Sequence, residues 1–225
     1  MKPLKIQMSW SGGKDCVLAL DLLRRDPSFD VVELVSGFCR DTGRIGIHEV
    51  RRELVRAQAE SLGLPLSEIE LPMKPSNAEY EAVWGDFYQK SRKSGIAHVA
   101  YGDLFLEEIR AYRERFLASI GMHAVFPLWG QSTSVLARDA LEVGLRAVIC
   151  SCDFERLDRQ FVGRIYDRQF LDDLPVGCDP CGENGEFHTF VFDGPGYKKP
   201  VAWERGGIHR RGTVDFCDLL ALQLQ

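Results

Sequence analysis

The sequence has no long hydrophobic run and no excess of positive charge. None of its 225 residues belongs to a stretch of the ~18 apolar residues that a membrane-spanning helix needs. The first residues lead directly into a strand-like run, without the apolar core of a secretion signal. A formal net charge of −5 argues against an extended nucleic-acid surface, which usually requires a basic face. We therefore expect a cytoplasmic protein that binds neither a membrane nor, as its main partner, a nucleic acid.

The cysteines lack the pattern of a disulfide framework. There are seven, an odd number, and without a secretion signal this favours reduced thiols. A loose four-thiolate set that could bind zinc is formed by Cys150, Cys152, Cys178 and Cys181, although the first pair departs from the usual C-x2-C spacing. A zinc site there is kept as an alternative.

Apolar runs and amphipathic segments alternate along the first two thirds of the chain. The patterns predict strands over 4–10, 30–38, 66–71, 97–101, 123–128 and 145–150, and helices over 14–25, 47–62, about 80–95, about 109–120 and 132–143. Strict alternation of this kind implies an α/β fold with a doubly wound parallel sheet. After about residue 153 we expect a helix over 155–171 and short strands over 186–192, 201–204 and 213–216. The chain is thus predicted to divide into 1–152 and a smaller α+β part, 153–225.

The common phosphate-binding motifs are missing from the stretch MSWSGGKDCVLAL, residues 8–20. A Walker A loop would need Gly at Met8 and Ser or Thr at Asp15, and the dinucleotide pattern G-x-G-x-x-G is absent. The glycines Gly12 and Gly13 nevertheless fall where the first strand meets the first helix. Unpaired N–H groups at a helix start attract anions, and glycines let an anion approach the backbone. We therefore predict an anion site, with Lys14 as a nearby positive charge.

The segment Ser11-Gly12-Gly13-Lys14-Asp15-Cys16 resembles the PP-loop of ATP pyrophosphatases, which cleave ATP between its α- and β-phosphates and adenylate a substrate. A second polar stretch, GENGEFHT at 182–189, is by composition either a Mg²⁺- or nucleophile-binding cluster or a polar hairpin turn. Together with segments 48–66, 101–110 and 127–130, the two stretches resemble the diphthine–ammonia ligase family and its bacterial relatives of unassigned substrate. The resemblance runs from about residue 4 to about residue 217.

This resemblance implies a nucleotide alpha hydrolase (HUP-like) fold with five parallel strands. It implies ATP and Mg²⁺, attack of an unidentified carboxylate on the α-phosphate, loss of pyrophosphate and capture of the adenylate by ammonia. Residues 1–152 would bind ATP through the PP-loop, residues 153–225 would face the substrate, and a homo-oligomer is expected. The alternatives are a PP-loop enzyme that modifies tRNA and a nucleotide-binding protein without turnover.

The resemblance also implies where ATP lies. The β- and γ-phosphates would be held by Ser11, Gly12, Gly13 and Lys14, with Ser9 and Cys16 as lesser contacts. Backbone groups of Val35, Ser36 and Gly37 would face adenine. The role of His48, at the predicted start of a helix, is either a contact to the ribose or α-phosphate or a surface cap. A helix start tends to lower a thiol pKa, so a reactive Cys16 is an alternative to a backbone contact.

The expected catalytic set is Lys14 at the phosphates, Asp103 at the end of a central strand, and Glu183, Glu186 and His188 on the acceptor side. Gly102 and Thr189 would border the nucleotide. The carboxylate of Asp103 would ligate Mg²⁺ or guide the nucleophile, and that of Asp15 would ligate Mg²⁺ or cap the helix. We expect Arg110, Arg113 and Arg115 to be solvated charges on a helix surface, and Trp129 to belong to the core or, from its position in a loop, to act as a stacking platform.

Overall fold

A five-stranded, all-parallel sheet forms the centre of the computed structural model, which describes residues 2–222. Its strand order is β5-β2-β1-β6-β7. Helices connect these strands in turn, so the chain reads β1 (Leu4–Ser9), α1 (Lys14–Arg25), β2 (Phe29–Cys39), α2 (Arg52–Leu62), β5 (Leu66–Leu71), α3 (Asn77–Lys93), β6 (His98–Ala100), α4 (Glu107–Ser119) and β7 (His123–Val125). A short hairpin of β3 (Arg44–Ile45) and β4 (Val50–Arg51) precedes α2.

Helices cover both faces of this sheet. Neighbouring strand residues point to opposite faces, and Leu34 and Val35 of β2 belong to two separate hydrophobic clusters. One cluster contains Leu18 of α1 and Leu54 of α2, whereas the other contains Trp84 of α3 and side chains of α4. The sheet is therefore doubly wound, which confirms the predicted α/β class. The winding reverses between β1 and β6, the kind of position where such sheets bind ligands.

A second, antiparallel sheet of order β10-β11-β8-β9 follows helix α5 (Thr133–Glu142). Its strands are β8 (Arg146–Asp153), β9 (Phe187–Asp193), β10 (Trp203–Arg211) and β11 (Val214–Ala221). The strand predicted over 145–150 is present as β8, but its expected place in the parallel sheet is wrong, because it pairs with β9 and β11. Its almost continuous burial suits either kind of sheet.

The two sheets share one hydrophobic core. The larger cluster joins Leu20 of α1 to Val148 of β8 and Phe190 of β9. The division of the chain at residue 152 stays a prediction. Among residues 2–222, no helix combines the length and the apolar character needed to cross a bilayer.

Two predicted helices differ from the structure. The helix expected over 47–62 begins only at Arg52, because Glu49 has a left-handed backbone (φ 55°) and the β3–β4 hairpin takes up the preceding residues. The helix expected over 155–171 is wrong. A 3-10 turn at Arg159–Phe161 and the short α6 (Arg168–Asp173) stand in its place. Between them Ile165 bridges to β8, and this extended pairing interrupts a helix.

Candidate functional site

The turn between β1 and α1, residues 10–13 (the glycine loop), leaves the start of α1 open. Gly13 is the N-cap residue and supplies no side-chain cap. The Lys14 N–H is instead capped from β9, where Thr189 Oγ1 accepts its hydrogen bond at 3.0 Å. In the described part of the chain, the N–H groups of Asp15 and Cys16 have no acceptor. Unpaired donors at the positive end of a helix dipole suit an anion.

Gln58, on α2, fixes the shape of the glycine loop from beneath. Its fully buried amide donates to the carbonyl oxygens of Gly12 (3.0 Å) and Val191 (2.6 Å) and accepts from the indole N–H of Trp10 (2.9 Å). A Cβ at Gly12, where φ is +80°, would lie 2.6 Å from Gln58 Oε1. The sequence analysis gave this residue no role. The signal available was a polar amide among the apolar positions of an amphipathic helix.

The glycine loop opens into a cavity of about 410 Å³, the acidic cavity, at the carboxyl ends of β1 and β6. Most of the predicted site residues line it. They are Ser9, Ser11, Lys14, Asp15, Cys16, His48, Gly102, Asp103, Glu183, His188 and Thr189. Residues that are 175 positions apart in the chain, such as Lys14 and Thr189, therefore meet at one site.

A second cavity of about 490 Å³, the apolar cavity, lies at the carboxyl end of β2. Val35, Gly37 and Trp84 line it, and Ser36 does not, because its hydroxyl donates to the Trp10 carbonyl at 2.7 Å. The Trp84 indole N–H is buried without an acceptor among the described residues. The two cavities share five lining residues, Ser9, Ser11, Ile47, His48 and Arg113. The two cavities therefore adjoin at these residues, beside the glycine loop, and the pair is called the bent cleft below.

The Lys14 ammonium is held inside the protein, although it borders the acidic cavity. Its Nζ contacts both carboxylate oxygens of Asp15 at 2.9 Å and donates to the Cys181 carbonyl. Burial alone would lower the pKa of Lys14, but the Asp15 carboxylate raises it above the ordinary value, so the ammonium stays charged. The three protons of the ammonium are used by these partners. Lys14 thus ties the start of α1 to the loop before β9.

Asp103 and Arg113 form an ion pair at the wall of the acidic cavity. Arg113 Nε lies 2.7 Å from Asp103 Oδ2, and Nη2 donates to Oδ1 at 3.1 Å. The guanidinium also packs 4.2 Å from the centroid of the Tyr101 ring. The prediction that Arg113 is a solvated charge is therefore wrong, because an aromatic ring and a carboxylate from the end of β6 enclose it.

The other residues of this region partly follow expectation. Arg110 stacks 4.7 Å from the centroid of Trp129 and pairs with Glu114, so it is not simply solvated, whereas Arg115 is exposed as predicted. Trp129 is only half-buried, packed edge-on against Phe126, and does not belong to the core clusters.

Glu183 joins the loop before β9 to the end of β6. Its Oε1 accepts the Leu104 N–H at 2.8 Å. Burial raises the pKa of Glu183 to about 7, with nearby Asp15 and Asp103 adding to the shift. A carboxyl group that titrates near neutral pH can both hold and release a proton under physiological conditions.

His48 and His188 lie side by side between the two cavities. Their ring centroids are 4.5 Å apart, and His48 Nδ1 is 3.3 Å from the Thr189 carbonyl oxygen. Burial lowers the pKa of His48 to about 4 and that of His188 well below its usual range. Both rings are therefore neutral at pH 7. His48 lies in a turn ahead of α2, and its ring covers Gly13, where a Cβ would be 3.1 Å from His48 Cε1.

Glu186 does not line the acidic cavity. The buried carboxylate of Glu186 accepts from the Asp179 N–H at 2.9 Å and from the Asn184 amide at 3.1 Å, and so shapes the loop before β9.

The expected lowering of the thiol pKa is wrong for Cys16, because burial raises it. Burial also raises the pKa of the four cysteines considered for zinc, Cys150, Cys152, Cys178 and Cys181.

No metal-binding cluster is preformed in residues 2–222. No group of three or more His, Cys, Asp or Glu side chains there could hold a metal ion, which removes the support for zinc. The two predicted Mg²⁺ ligands, Asp15 and Asp103, each face a cationic side chain. Asp15 also does not cap α1, since Gly13 is the N-cap. A Mg²⁺ ion at this site would have to rely on phosphate oxygens and water, as it commonly does.

Comparisons with known proteins relate both parts of the chain to one family. The chain matches the model of the diphthamide synthase N-terminal domain over residues 4–124 and that of the diphthamide synthase C-terminal domain over residues 132–220. A curated relative, the diphthine–ammonia ligase of Schizosaccharomyces pombe, is 24% identical over 125 residues, which are 54% of this chain and 21% of that protein. The chain therefore aligns with about a fifth of the length of this relative.

Among solved structures, the chain aligns with the U34-tRNA thiolase NcsA from Methanococcus maripaludis with its 4Fe-4S cluster. The two chains are 19% identical, with a TM-score of 0.37, and the match covers 63% of this chain and 57% of the thiolase chain. The family models extend over both sheets and include the glycine loop, Gln58 and the loop before β9. On this basis the chain belongs to the diphthamide synthase family.

Proposed function

We propose that this protein is an ATP-dependent ligase of the diphthine–ammonia ligase type. It would activate a carboxylate as the acyl-adenylate, release pyrophosphate and transfer the acyl group to ammonia. The observation that carries the proposal is the bent cleft, in which an apolar cavity and an acidic cavity meet beside a helix start whose Asp15 and Cys16 N–H groups have no acceptor among residues 2–222. The apolar cavity suits a nucleoside, the junction beside the glycine loop suits phosphates, and the acidic cavity leaves room for a second substrate.

Adenosine would occupy the apolar cavity. The base would lie against Val35 and Gly37 at the end of β2, where the indole N–H of Trp84 has no partner among residues 2–222. A buried donor without an acceptor is costly, and a ring nitrogen of adenine would supply one. Ser36 would act through the backbone position of β2 rather than through its side chain, because its hydroxyl is already engaged.

The phosphates would run from the shared residues toward the start of α1. The hydroxyls of Ser9 and Ser11 and the N–H groups of Asp15 and Cys16 are the available donors there. Such preoriented dipoles can stabilise the charge that develops on departing pyrophosphate. Lys14 would contribute from within, by holding Asp15 and the Cys181 carbonyl in place. Mg²⁺ remains part of the proposal only as a companion of the phosphates.

The carboxylate substrate would enter from the acidic cavity, opposite the pyrophosphate. Its oxygen would displace pyrophosphate from the α-phosphorus, and ammonia would then displace AMP from the acyl carbon, with loss of one proton. Glu183, whose pKa is raised to about 7, is the candidate to accept that proton. The neutral rings of His48 and His188 would supply hydrogen bonds at the bend of the cleft.

The test uses candidate carboxylates labelled with ¹⁸O, together with ATP labelled at the α-phosphate, Mg²⁺ and ammonia. An adenylate route transfers one ¹⁸O atom to AMP and releases pyrophosphate. The formation of ADP together with inorganic phosphate that carries ¹⁸O would contradict the proposal. Firm ATP binding without AMP formation across a broad set of carboxylates would favour a nucleotide-binding protein. AMP formed only with tRNA would favour a tRNA-modifying enzyme.

A further inference from the structure

We propose that Arg113 binds the α-phosphate of the nucleotide and that Asp103 is the positioning residue that holds it there. This inference rests on the proposed function, because it assigns a contact to the nucleotide of that site. It also gives Asp103 a role different from the metal ligation or nucleophile guidance that the sequence indicated.

The position of Arg113 is the first argument. It projects from α4 and lines both the acidic and the apolar cavity, so it lies where the two arms of the cleft join. A nucleotide with its base in the apolar cavity and its terminal phosphates at the glycine loop has its α-phosphate at this junction. The side chain of Arg113 is 26% exposed, so a ligand in the cleft can reach it.

The charges at the junction are the second argument. Lys14 is occupied by Asp15 and the Cys181 carbonyl. His48, which is also shared by the two cavities, is neutral at pH 7. Among the described residues that line both cavities, Arg113 is the one that carries a positive charge. An anion at the bend of the cleft therefore has this guanidinium as its nearest shared cation.

The orientation of the guanidinium is the third argument. Asp103 faces the edge formed by Nε and Nη2, where Nη2 donates a hydrogen bond and Nε makes an ion contact without hydrogen-bond geometry, and the Tyr101 ring supports one face. In residues 2–222 no acceptor is bound to Nη1. A guanidinium carries five N–H donors, so a paired arginine still has donors for phosphate oxygens. Holding the group rigid in advance lowers the entropy lost when the phosphate binds.

Nucleotide binding alone can test this assignment, with Arg113→Gln and Arg113→Lys compared against Arg110→Gln. Arg110 is a matched control, because it lies one turn away on α4 and stacks on an aromatic ring, but lines neither cavity. Calorimetry would measure the affinities for adenosine, AMP and ATP. We expect Arg113→Gln to weaken AMP and ATP binding by the same factor of about 10 or more. The affinity for adenosine should not change, and Arg113→Lys should lose less affinity for AMP and ATP than Arg113→Gln does.

The outcomes separate this inference from the proposed function. If the wild type binds no adenine nucleotide, both fail. If it binds ATP but Arg113→Gln weakens ATP binding without weakening AMP binding, or weakens adenosine equally, the inference alone is overturned. Should Arg113→Gln not fold, Arg113→Lys gives the same comparison.

A double-mutant cycle tests the role of Asp103. The effect of Asp103→Asn on AMP affinity should vanish in the Arg113→Gln background if Asp103 acts through Arg113. An effect of Asp103→Asn that persists in that background, and depends on Mg²⁺, would overturn the positioning role.

Discussion

Gln58 offers the sharpest test of how the glycine loop is supported. The change Gln58→Met keeps the length and approximate volume of the side chain but removes its polar atoms. Two donated hydrogen bonds, to Gly12 and Val191, and one accepted bond, from Trp10, are lost together. The consequences for the three partners differ, and these differences set the expected size of the effect.

The two carbonyl partners keep other donors. The Gly12 oxygen still accepts the Val191 N–H at 2.9 Å, and the Val191 oxygen still accepts the Tyr197 hydroxyl at 3.3 Å. The indole N–H of Trp10 has no other acceptor in residues 2–222, so it would be left buried and unsatisfied. A lost bond costs about 1 kcal/mol or less, and an unsatisfied buried donor about 1–3 kcal/mol. The sum is a loss of about 3 kcal/mol in the free energy of unfolding.

The assay is thermal unfolding followed by circular dichroism or calorimetry. For a chain of this size, about 3 kcal/mol corresponds to a fall in Tm of about 6–12 °C. Gln89→Met, at an exposed glutamine of α3, is the control and should change stability by no more than about 0.5 kcal/mol. If Gln58→Met is as stable as this control, the hydrogen bonds around the loop are not what holds it, and the reasoning fails. ATP affinity should fall with stability.

Three further predictions concern the cleft. Burial raises the pKa of Glu183 from 4.5 to about 7, so the folded chain holds this proton more tightly than the unfolded one. The wild type should therefore lose stability relative to Glu183→Gln as pH rises from about 4.5 to 7. Urea denaturation measures both free energies of unfolding, and a difference between them that does not change with pH would contradict this prediction. Thr189→Val removes the acceptor of the Lys14 N–H and should lower the free energy of unfolding by about 1 kcal/mol in the same assay. An unchanged urea midpoint would show that this cap does not stabilise the fold. Trp84→Phe should weaken ATP binding by about fivefold through loss of one hydrogen bond, whereas Trp203→Phe, outside both cavities, should bind ATP as the wild type does.

The local parts of the fold could be read from the sequence. The glycine loop and α1 depend on residues that are neighbours in the sequence, and the start of α1 at Lys14 was predicted correctly. The partner of a strand is a different matter, because an apolar run such as β8 carries no information about which sheet will bury it. The same limit applies to 155–171, where pairing of Ile165 with β8 overrides a helical pattern.

The site shows a similar contrast. Eleven of the residues that the sequence motifs predicted line the acidic cavity. The motifs did not predict the directions in which the polar atoms of these residues point. Arg110 and Arg113 share one helix face by spacing, and only the presence of Asp103 and Tyr101 beside one of them makes it part of the cleft. Glu186 looks equivalent to Glu183 in the motif, yet it turns into the loop. Such outcomes depend on contacts between distant segments.

The hydrogen bonds between Val191 and the glycine loop, and between Thr189 and the first residue of α1, limit how far the two parts of this protein can be separated. The loop motif lies wholly within the first segment of the family, residues 4–124, while its cap and one of its backbone partners come from the second, residues 132–220. A fragment holding only the first segment would carry the complete motif and the support of Gln58, but it would lack the Val191 partner of the loop and the Thr189 cap of α1. Both segments must therefore be present for the loop and the start of α1 to have these hydrogen bonds, so the glycine motif alone does not make the complete site.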